Sequence, residues 1–363
     1  MKYSVIGLMS GSSLDGLDIV FTDLQEISGK WAFEINAAGC LEYDDAWDKK
    51  LRSAINLSAE RYQLLHAEYG KYLGEKVNEF IEMNQLHHQV NLIASHGHTT
   101  FHCPEKRMTH QLGDGAAIAA ITGLPVVSDL RSLDVAFGGQ GAPIVPMGEK
   151  LLFPEHRFFL NIGGIANISI RNGDQFIAYD VCPANRVLNM LIAEMNKAFD
   201  DGGQIASSGS VNQELLNELN NLDYYSLPHP KSLANSFGTD VIYPLIKKFG
   251  LTTADSLCTY TEHIATQINN SLIPFSSEIN SKNLMITGGG AFNTFLVDRI
   301  RNLLLPSNFQ INVPADEVVN YKEALIMALL GTLRWREQYT VLASVTGASR
   351  NSIGGALWLG TEA

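Results

Sequence analysis

The sequence predicts a mixed α/β protein of two lobes, and three observations lead to that prediction. Apolar runs of strand length alternate with helical stretches, which is typical of α/β folds. A strand, a glycine turn and a return strand at residues 8–24 are followed by a similar arrangement at residues 160–180. The chain has 363 residues, which exceeds the size at which single hydrophobic cores stop growing.

In the first half, apolar stretches on both sides of GSSLDG (11–16) predict two strands, and WAFEINAAGCLEYD (31–44) predicts a third. Apolar residues recur at three- and four-residue spacing over 45–84, which indicates helix. The stretch VNLIASHGHTTFH (90–102) predicts a buried strand that ends in a polar loop. A helix at 113–123 and a strand at 124–130 follow.

The pattern starts again after a Gly/Pro-rich connector at 137–146. Residues 183–199 predict a helix with one apolar face, and 283–304 predict a strand, a glycine loop and a helix. A last helix is expected at 320–335. We expect a first lobe at 1–145 and a second lobe at 146–363, each with one strand–turn–strand arrangement, and the last helix of the second lobe is free to pack on the first.

Composition limits the classes of partner. The formal charge of −12 argues against nucleic acid or an anionic membrane as the main partner. No apolar run reaches the length of a spanning helix, and the first residues lack a signal-peptide pattern. Four scattered cysteines indicate reduced thiols. We expect a cytoplasmic protein, and the oligomeric state stays open, a homodimer included.

Three glycine-rich turns are candidate nucleotide-binding segments, because glycine lets backbone amides approach phosphate oxygens. The residues of these turns are Gly11, Ser12, Ser13, Leu14, Asp15, Gly16, Leu17 and Asp18; Gly163, Gly164 and Asn167; and Gly288, Gly289, Gly290 and Asn293. Asp15 or Asp18 is a candidate ligand for Mg²⁺, directly or through water. The alternative for the first turn is an ordinary hairpin. Two such turns in two lobes are the layout of the actin-like, hexokinase-like ATPase fold, with a central cleft.

Asp180 is the candidate general base, because it ends a predicted strand after the second glycine turn. The alternative is a helix N-cap with a purely structural role. His96, His98, His102 and Cys103 lie close together in the sequence, but they lack the spacing of a zinc motif.

Three further residues are candidates for binding substrate: His96, Arg131 and Glu323. Arg131 either donates two hydrogen bonds to a substrate carboxylate or forms a surface ion pair with Asp134. Glu323 is either a first-turn partner of the helix dipole or an acceptor for a sugar hydroxyl.

Nine ordered blocks resemble the anhydro-N-acetylmuramic acid kinase family almost from end to end. They are GLMSGSSLDGLD, SHGHTTFH, QLGDGAAIA, GLPVVSDLR, GGQGAPIVP, LNIGGIANIS, ITGGGAFN, KEALIMALL and VTGAS. The resemblance implies a two-domain ATPase-type fold with ATP and Mg²⁺ as cofactors. The first lobe would then carry one phosphate turn and part of the sugar site, and the second lobe another phosphate turn and the nucleotide site. It also implies phosphorylation of O6 of a 1,6-anhydro sugar while water opens the anhydro bridge, as part of cell-wall recycling. In the family, the aspartate matching Asp180 activates that water, and the loop matching Gly11 to Asp18 binds ATP.

The chain departs from the family pattern in two blocks. Where the family has D-T-G-P-G-N, residues 180–185 are DVCPAN, so that Cys182 and Ala184 replace glycines. A family aspartate is replaced by Asn189, and the stretch HPKSLANS (229–236) lacks the family's arginine and glutamate. Two alternatives therefore stay open: a kinase of another anhydro or plain sugar, and a nucleotide-binding paralogue without catalysis.

Overall fold

The structure is a computed structural model that describes residues 1–11, 14, 16–173, 175–229, 231–276 and 282–360. The chain forms two compact units, one of residues 1–154 together with 321 onward, the other of residues 155–320. The units differ in extent from the lobes expected at 1–145 and 146–363, since the segment from Tyr321 belongs to the first unit. The roles assigned to the lobes stay predictions.

Strands and helices alternate in both units. The strands are β1 (Lys2–Ser10), β2 (Leu17–Ile27), β3 (Lys30–Leu41), β4 (Leu92–Cys103), β5 (Met108–Leu112), β6 (Val126–Ser128), β7 (Phe158–Ile162), β8 (Ile165–Asn172), β9 (Gln175–Pro183), β10 (Asn283–Thr287), β11 (Gln310–Asn312) and β12 (Ala356–Trp358).

The α-helices are α1 (Asp45–Ser53), α2 (Ala59–Met83), α3 (Gly115–Thr122), α4 (Ser132–Ala136), α5 (Pro146–Leu152), α6 (Asn185–Ile192), α7 (Gln204–Ser208), α8 (Gln213–Asn220), α9 (Asp223–Ser226), α10 (Tyr243–Lys248), α11 (Thr253–Leu272), α12 (Thr294–Leu304), α13 (Asp316–Trp335) and α14 (Ala343–Thr346). A π-helical segment, Phe237–Ile242, precedes α10. Short 3₁₀ segments are Ala54–Asn56, Pro104–Lys106, Ala193–Met195, Asp201–Gly203, Ile273–Phe275, Gly289–Phe292 and Leu305–Ser307.

Each unit contains one sheet, and the two sheets share a strand order. The first runs β12-β6-β4-β1-β2-β3, with β5 paired to β4, and the second runs β11-β10-β7-β8-β9. In both sheets the first strand pairs antiparallel with the strand that follows it and parallel with a later strand. This duplicated topology confirms the predicted α/β fold class of the actin-like ATPase type.

Helices cover the apolar faces of both sheets. In the first unit, Tyr69 and Leu73 of α2 pack in one core with Ile6 and Leu8 of β1. In the second unit, helices α11 and α12 share a core with β7 and β10, whose side chains are mostly apolar and buried. Continuous apolar runs of this kind are typical of central strands buried on both faces.

Several boundaries differ from the expectations; the helix expected at 183–199, for example, ends at Ile192. The stretch expected to form a polar loop after residue 95 continues as β4, because β5 pairs with it from His98 to Cys103. Pro183 ends β9 instead of opening a helix, and α6 begins at Asn185. Helix α13 begins at Asp316 and is interrupted at Tyr321, whose φ and ψ are −118° and 15°.

Among the described residues, no helix combines the length and the apolar character needed to cross a bilayer.

Candidate active site

The first glycine turn joins β1 to β2, where Ser10 is paired with Leu17 in antiparallel register. Ser12, Ser13 and Asp15 lie outside the described residues, so the structure says nothing of these three candidates. Leu14 has a left-handed backbone (φ 59°), and its amide donates to the Gly11 carbonyl at 3.4 Å. The side chains of Leu14 and Leu17 are buried in the core of the first unit. These two leucines can therefore offer a ligand only their backbone.

Packing explains one glycine of this turn. A Cβ on Gly16 would lie 2.5 Å from the Cys40 sulfur and 2.9 Å from the Leu41 carbonyl oxygen, which is closer than real Cβ atoms come. Asp18, on β2, is partly exposed and faces Tyr321, whose phenol pKa is raised by burial and by the charge of Asp18. A carboxylate therefore lies beside the turn.

A buried hydrogen-bond chain fixes the end of β1 before the turn begins. The Ser10 hydroxyl lies 3.2 Å from His98 Nδ1 and accepts from the Tyr43 hydroxyl at 2.8 Å. Burial lowers the pKa of His98 to about 4, so the ring is neutral at ordinary pH. This chain ties β1 to β4.

His96 and Arg131 form a pair in the first unit. His96 Nδ1 donates to the Gly97 carbonyl at 2.8 Å, and Nε2 accepts from Arg131 Nε at 2.8 Å. The Arg131 guanidinium also donates to the Gly141 carbonyl at 2.6 Å. Burial lowers the pKa of His96 to about 3. Because both ring nitrogens are used within the protein, the ring orients Arg131 and has no nitrogen left for a ligand.

The predicted surface ion pair of Arg131 with Asp134 is wrong. Asp134 is 1% exposed, and its carboxylate accepts from the Gly141 amide at 2.8 Å and from the Thr346 hydroxyl at 2.7 Å. Burial lowers the pKa of Arg131 to about 10, against the opposing charges of Glu323 and Asp134. Arg131 is thus held by the His96 ring and by the Gly141 carbonyl.

Glu323 does not lie in the first turn of a helix, because α13 begins seven residues before it. It follows the break at Tyr321 by two residues and is partly exposed. Its neighbour Lys322 is 4% exposed and bonds Glu149, itself 2% exposed, at 3.0 Å. This buried ion pair, which the sequence pattern did not reveal, fixes the helix next to Glu323.

The histidine-rich stretch of β4 does not gather metal ligands. His96 bonds Gly97 and Arg131, His98 bonds Ser10, and His102 Nδ1 lies 3.1 Å from the Thr109 hydroxyl. No group of three or more histidine, cysteine, aspartate or glutamate side chains in the described part of the chain is placed to hold a metal ion.

The second glycine turn lies in the second unit between β7 and β8. The carbonyls of Gly163 and Gly164 accept from the amides of Asn185 and Ala184 at 3.1 and 2.8 Å. The Asn185 side chain donates to the Ile162 carbonyl at 3.1 Å. The turn is therefore bound to the start of α6. A Cβ on either glycine would meet nothing nearer than 3.6 Å, so neither glycine is needed for packing.

The third glycine segment, residues 288–290, packs against the end of β7, where the second glycine turn begins. A Cβ on Gly288 (φ 80°) would lie 2.6 Å from Asn161 Oδ1, and one on Gly290 would lie 2.2 Å from the Ile162 side chain. These two glycines are required by the close approach to the end of β7. Gly289 is exposed, and a Cβ there would meet only the Asn185 side chain, at 3.6 Å.

Asn293, a predicted nucleotide contact, caps α12. Its side chain accepts from the Leu296 amide at 3.0 Å. A Cβ on Gly203 would lie 2.3 Å from the same oxygen. The observed geometry gives Asn293 a structural role, as is common for asparagine at this position.

Arg186 is a candidate that the sequence pattern did not single out. Its Nε would lie 3.8 Å from a Cβ on Gly164, so the guanidinium lies over the second glycine turn. Nε is buried and has no hydrogen-bond partner among the described residues. A guanidinium nitrogen that lies beside a glycine turn and has no acceptor in the described chain makes Arg186 a candidate for binding an anionic ligand.

Asp180 lies on β9 opposite Asn167 of β8, and an extra residue, Val181, interrupts the register before Cys182. Bulges of this kind re-aim side chains and are frequent next to active sites. The Leu233 amide donates to Asp180 Oδ2 at 2.9 Å. No hydrogen bond to Oδ1 is found within the described chain. Asp180 is not a helix cap, because the residue before α6 is Ala184.

The surroundings of Asp180 hold the carboxylate at an elevated pKa. Burial raises its pKa, and the hydrogen bond from Leu233 partly opposes that effect. Tyr224 donates to the Asp180 carbonyl at 2.6 Å, and the Asp180 amide donates to the Lys231 carbonyl at 3.1 Å. Residues 231–233 therefore fix both the backbone and the side chain of Asp180.

Two departures from the family motif point away from this site. Cys182 and Ala184 are both 0% exposed and belong to the core of the second unit. Burial raises the pKa of the Cys182 thiol far above its ordinary value. Their side chains fill the interior instead of narrowing the space beside Asp180.

Comparison with known proteins gives the family. The sequence profile described as "Anhydro-N-acetylmuramic acid kinase" matches residues 3–360. A protein of that name from Sulfurovum sp. (strain NBC37-1) is 34% identical over 370 residues, which is 99% of each chain. Another from Aliivibrio fischeri is 35% identical over 373 residues, covering 97% of this chain and 98% of the relative.

A ROK family glucokinase from Streptomyces griseus covers 91% of this chain at 12% identity with a TM-score of 0.42; its own chain is covered to 99%. That likeness is too distant to carry an argument, whereas the relatives match over their whole length at more than 30% identity. The chain belongs to the anhydro-N-acetylmuramic acid kinase family and is a sugar kinase.

Proposed function

We propose that this kinase transfers the γ-phosphoryl group of ATP to O6 of 1,6-anhydro-N-acetylmuramic acid while water opens the anhydro bridge. The bond between C1 and O6 breaks, the water oxygen bonds to C1, and O6 bonds to phosphorus as ADP leaves. The product is N-acetylmuramic acid 6-phosphate, made in the cytoplasm during cell-wall recycling. The observation that carries the proposal is the Asp180 carboxylate, held by one oxygen at a bulge between two segments of the family motif.

Asp180 would take the proton from the attacking water. A general base works best when its pKa is near the operating pH, and burial moves the pKa of Asp180 upward, in that direction. The Leu233 amide fixes Oδ2, which leaves Oδ1 for the water. Tyr224, through the Asp180 carbonyl, keeps the strand end in place.

The glycine segments of the second unit would bind the phosphates. At Gly163, Gly164 and Gly289 a Cβ would meet nothing closer than 3.6 Å, so a ligand has room to approach the chain at these positions. Arg186 would supply a cation over the same turn, and its unmatched Nε would donate to a phosphate oxygen. Bound amides and a guanidinium stabilise the charge that develops during phosphoryl transfer.

Mg²⁺ would neutralise phosphate charge when bound. This ion prefers oxygen ligands, keeps several waters and is often held by one or two carboxylates together with phosphates. Asp18 offers such a carboxylate next to the first turn, and it fits that donor requirement. Asp15 was the first sequence candidate and lies outside the described residues.

Arg131 and Glu323 would bind the sugar in the first unit. Arg131 presents a guanidinium whose Nε and Nη1 are already directed by His96 and Gly141, so its remaining donors point in a fixed direction. Glu323 would accept from a sugar hydroxyl. His96 acts through Arg131 and is a positioning residue.

The reaction is tested with purified protein, ATP, Mg²⁺ and 1,6-anhydro-N-acetylmuramic acid in ¹⁸O-labelled water. We expect release of ADP and a sugar 6-phosphate whose C1 hydroxyl carries ¹⁸O by mass spectrometry. ADP release without label at C1 would mean phosphorylation without ring opening. No ADP release with a panel of anhydro and plain sugars would refute the kinase assignment for this chain.

One observation keeps a second substrate under test. Asn235 and Ser236, which replace the family's charged pair, are exposed on the segment that holds Asp180. A different anhydro sugar, one that lacks the charged group of anhydro-N-acetylmuramic acid, would suit this uncharged surface. The same panel decides between the two substrates by their kcat/KM values.

A further inference from the structure

Lys231 belongs to the segment that contacts Asp180, and its ammonium binds backbone carbonyls of the second unit. Nζ donates to the Tyr224 carbonyl at 3.1 Å and to the Tyr225 carbonyl at 3.5 Å. Nζ also lies 4.6 Å from the centroid of the Tyr224 ring, which is within the range of a cation–π contact. In the described part of the chain, no carboxylate pairs with this ammonium. The side chain of Lys231 therefore holds backbone in place instead of neutralising an acidic group.

The two carbonyls belong to α9, a helix of only four residues. The last carbonyls of a helix have no partner within the helix, and lysine side chains near a helix end often bind them. Here the lysine comes from a later segment of the chain. Its bonds therefore close a loop that joins the end of α9 to residues 231–233.

The loop that Lys231 closes holds Asp180 at three points. The Asp180 amide donates to the Lys231 carbonyl at 3.1 Å, and the Leu233 amide donates to Asp180 Oδ2 at 2.9 Å. The Tyr224 hydroxyl donates to the Asp180 carbonyl at 2.6 Å. Tyr224 thus bonds Asp180 through its side chain and Lys231 through its backbone. A displacement of the loop would move the Leu233 amide away from the carboxylate.

Helix α11 fixes the α9 end of this loop. His263 is 0% exposed, and its Nδ1 lies 2.7 Å from Asn220 Oδ1, which also accepts from Gln267 Nε2 at 2.8 Å. An amide oxygen can only accept, so Nδ1 carries the ring proton and Nε2 accepts from the Tyr225 hydroxyl at 2.9 Å. Burial lowers the pKa of His263 to about 3, which keeps the ring neutral. Tyr225 is therefore bonded by α11 through its side chain and by Lys231 through its carbonyl.

We propose that Lys231 is a positioning residue for the reaction, an inference that rests on the proposed function. Its ammonium ties residues 231–233 to the end of α9 and thereby keeps the Leu233 amide on Asp180 Oδ2. With Oδ2 held, the carboxylate keeps Oδ1 directed at the attacking water. Lys231 acts through Leu233 and not on the reacting atoms. Because small displacements of a catalytic group lower rates strongly, the loop should affect turnover more than binding.

The groups that titrate next to this loop are neutral in the range where Asp180 titrates. They are three phenols and a thiol, whose pKa values are raised by burial: Tyr179, Tyr224, Tyr225 and Cys182. Burial raises the pKa of Asp180, and the hydrogen bond from Leu233 lowers it. Loss of that hydrogen bond should therefore move the pKa of Asp180 further upward.

The test compares Lys231→Met and Lys231→Arg in the full-length protein. We expect Lys231→Met to lower kcat about tenfold with the KM for ATP unchanged, because the base is displaced. The acid limb of the kcat profile should move to higher pH, because Asp180 loses the Leu233 amide. Lys231→Arg keeps a cation with several N–H donors, so its kcat and its acid limb should lie between those of the wild type and of Lys231→Met.

Two variants serve as controls. Lys282→Met is the matched one, because Lys282 also donates to a backbone carbonyl, that of Ser307, at 2.7 Å. Ser307 precedes β11, the edge strand opposite β9 in the sheet. The second control is His229→Gln, because His229 stacks on Tyr179 and is a titratable group of the same segment. Both should leave kcat and the acid limb unchanged. An acid limb that stays in place in Lys231→Met, or that moves equally in Lys282→Met, would overturn the inference.

The pKa of Asp180 is also measured without turnover, by ¹³C NMR of the aspartate carboxyl groups, with Asp180→Asn to assign the signal. We expect its midpoint to rise in Lys231→Met and to stay unchanged in Lys282→Met. An unchanged midpoint in Lys231→Met overturns the inference, whether or not the protein releases ADP. Failure of the proposed function is distinct, since it shows as absent sugar-dependent ADP release by the wild type.

Discussion

Two polar groups, the buried His96 in the first unit and the half-buried Asp180 in the second, are held in different ways. Both ring nitrogens of His96 are used, by Gly97 and by Arg131. Asp180 is held through Oδ2 alone, by Leu233. A group with all its polar atoms paired can only position another residue. A carboxylate fixed by one oxygen keeps the other for chemistry, and the difference separates positioning residues from a base.

The largest expected effect comes from removing the base. Asp180→Asn keeps an oxygen for the Leu233 amide but cannot take a proton, so we expect kcat to fall by about 10²–10⁴. Steady-state assays of ADP release measure kcat. ATP binding, measured by calorimetry, should be unchanged. An unchanged kcat would show that the open oxygen has no catalytic role.

Disrupting the hydrogen bonds between Arg131 and His96 should lower activity less than removing the base. In Arg131→Lys, one ammonium replaces the fork that bonds His96 and Gly141, and charged hydrogen bonds are worth about 1.5–3 kcal/mol each. We expect kcat/KM for the sugar to fall about ten- to a hundredfold, with the KM for ATP unchanged. Arg52→Lys, on the exposed surface of α1, is the control. A parallel rise in both KM values would argue for general damage instead of lost positioning.

Arg186 extends the comparison to the nucleotide. Its Nε lacks a partner in the described structure, so Arg186→Met should cost the protein little stability. We expect the KM for ATP to rise about tenfold, the worth of one charged hydrogen bond, with the KM for the sugar unchanged. Arg301→Met, an exposed arginine of α12, serves as the control. An unchanged KM for ATP would remove Arg186 from the phosphate site.

The pH dependence of stability should differ in sign between the two groups. His96 and His98 have pKa values of about 3 and 4 in the folded protein, against about 6.5 in the unfolded chain. Below pH 6.5 the unfolded chain binds protons that the folded protein refuses. Unfolding therefore becomes easier by up to about 1.4 kcal/mol per histidine per pH unit. Urea denaturation between pH 7 and 4.5 measures this, and His98→Gln should reduce the slope.

Asp180 contributes in the opposite direction. Its folded pKa is raised, so its contribution to stability is present at low pH and is lost as pH rises through that value. Asp180→Asn should therefore raise the urea midpoint at pH 7 slightly. A lower midpoint in this variant would mean that the charged carboxylate is stabilising after all.

The sequence predicted the secondary-structure elements better than the contacts between them. Alternation of apolar runs and the repeated strand–turn–strand pattern were enough for two sheets, because burial on one or both faces imposes those periods. The site was harder, because each role depends on neighbours distant in sequence. Gly288 and Gly289 are adjacent, yet one is required by Asn161 and the other is open. The pairing of both His96 nitrogens, and the missing partner of Arg186, follow from folded geometry alone.

Cys182 and Ala184 occupy positions where the family usually has glycine, and both side chains are enclosed by the interior of the second unit. Glycine at either position would leave a void in this core. Replacing the family's glycines by Cys182 and Ala184 therefore affects interior packing and does not by itself indicate a different substrate. Two lineages can drift apart within a signature motif while their chemistry stays the same. The identity of the motif residues near Asp180 is thus a poor guide to the substrate of the enzyme.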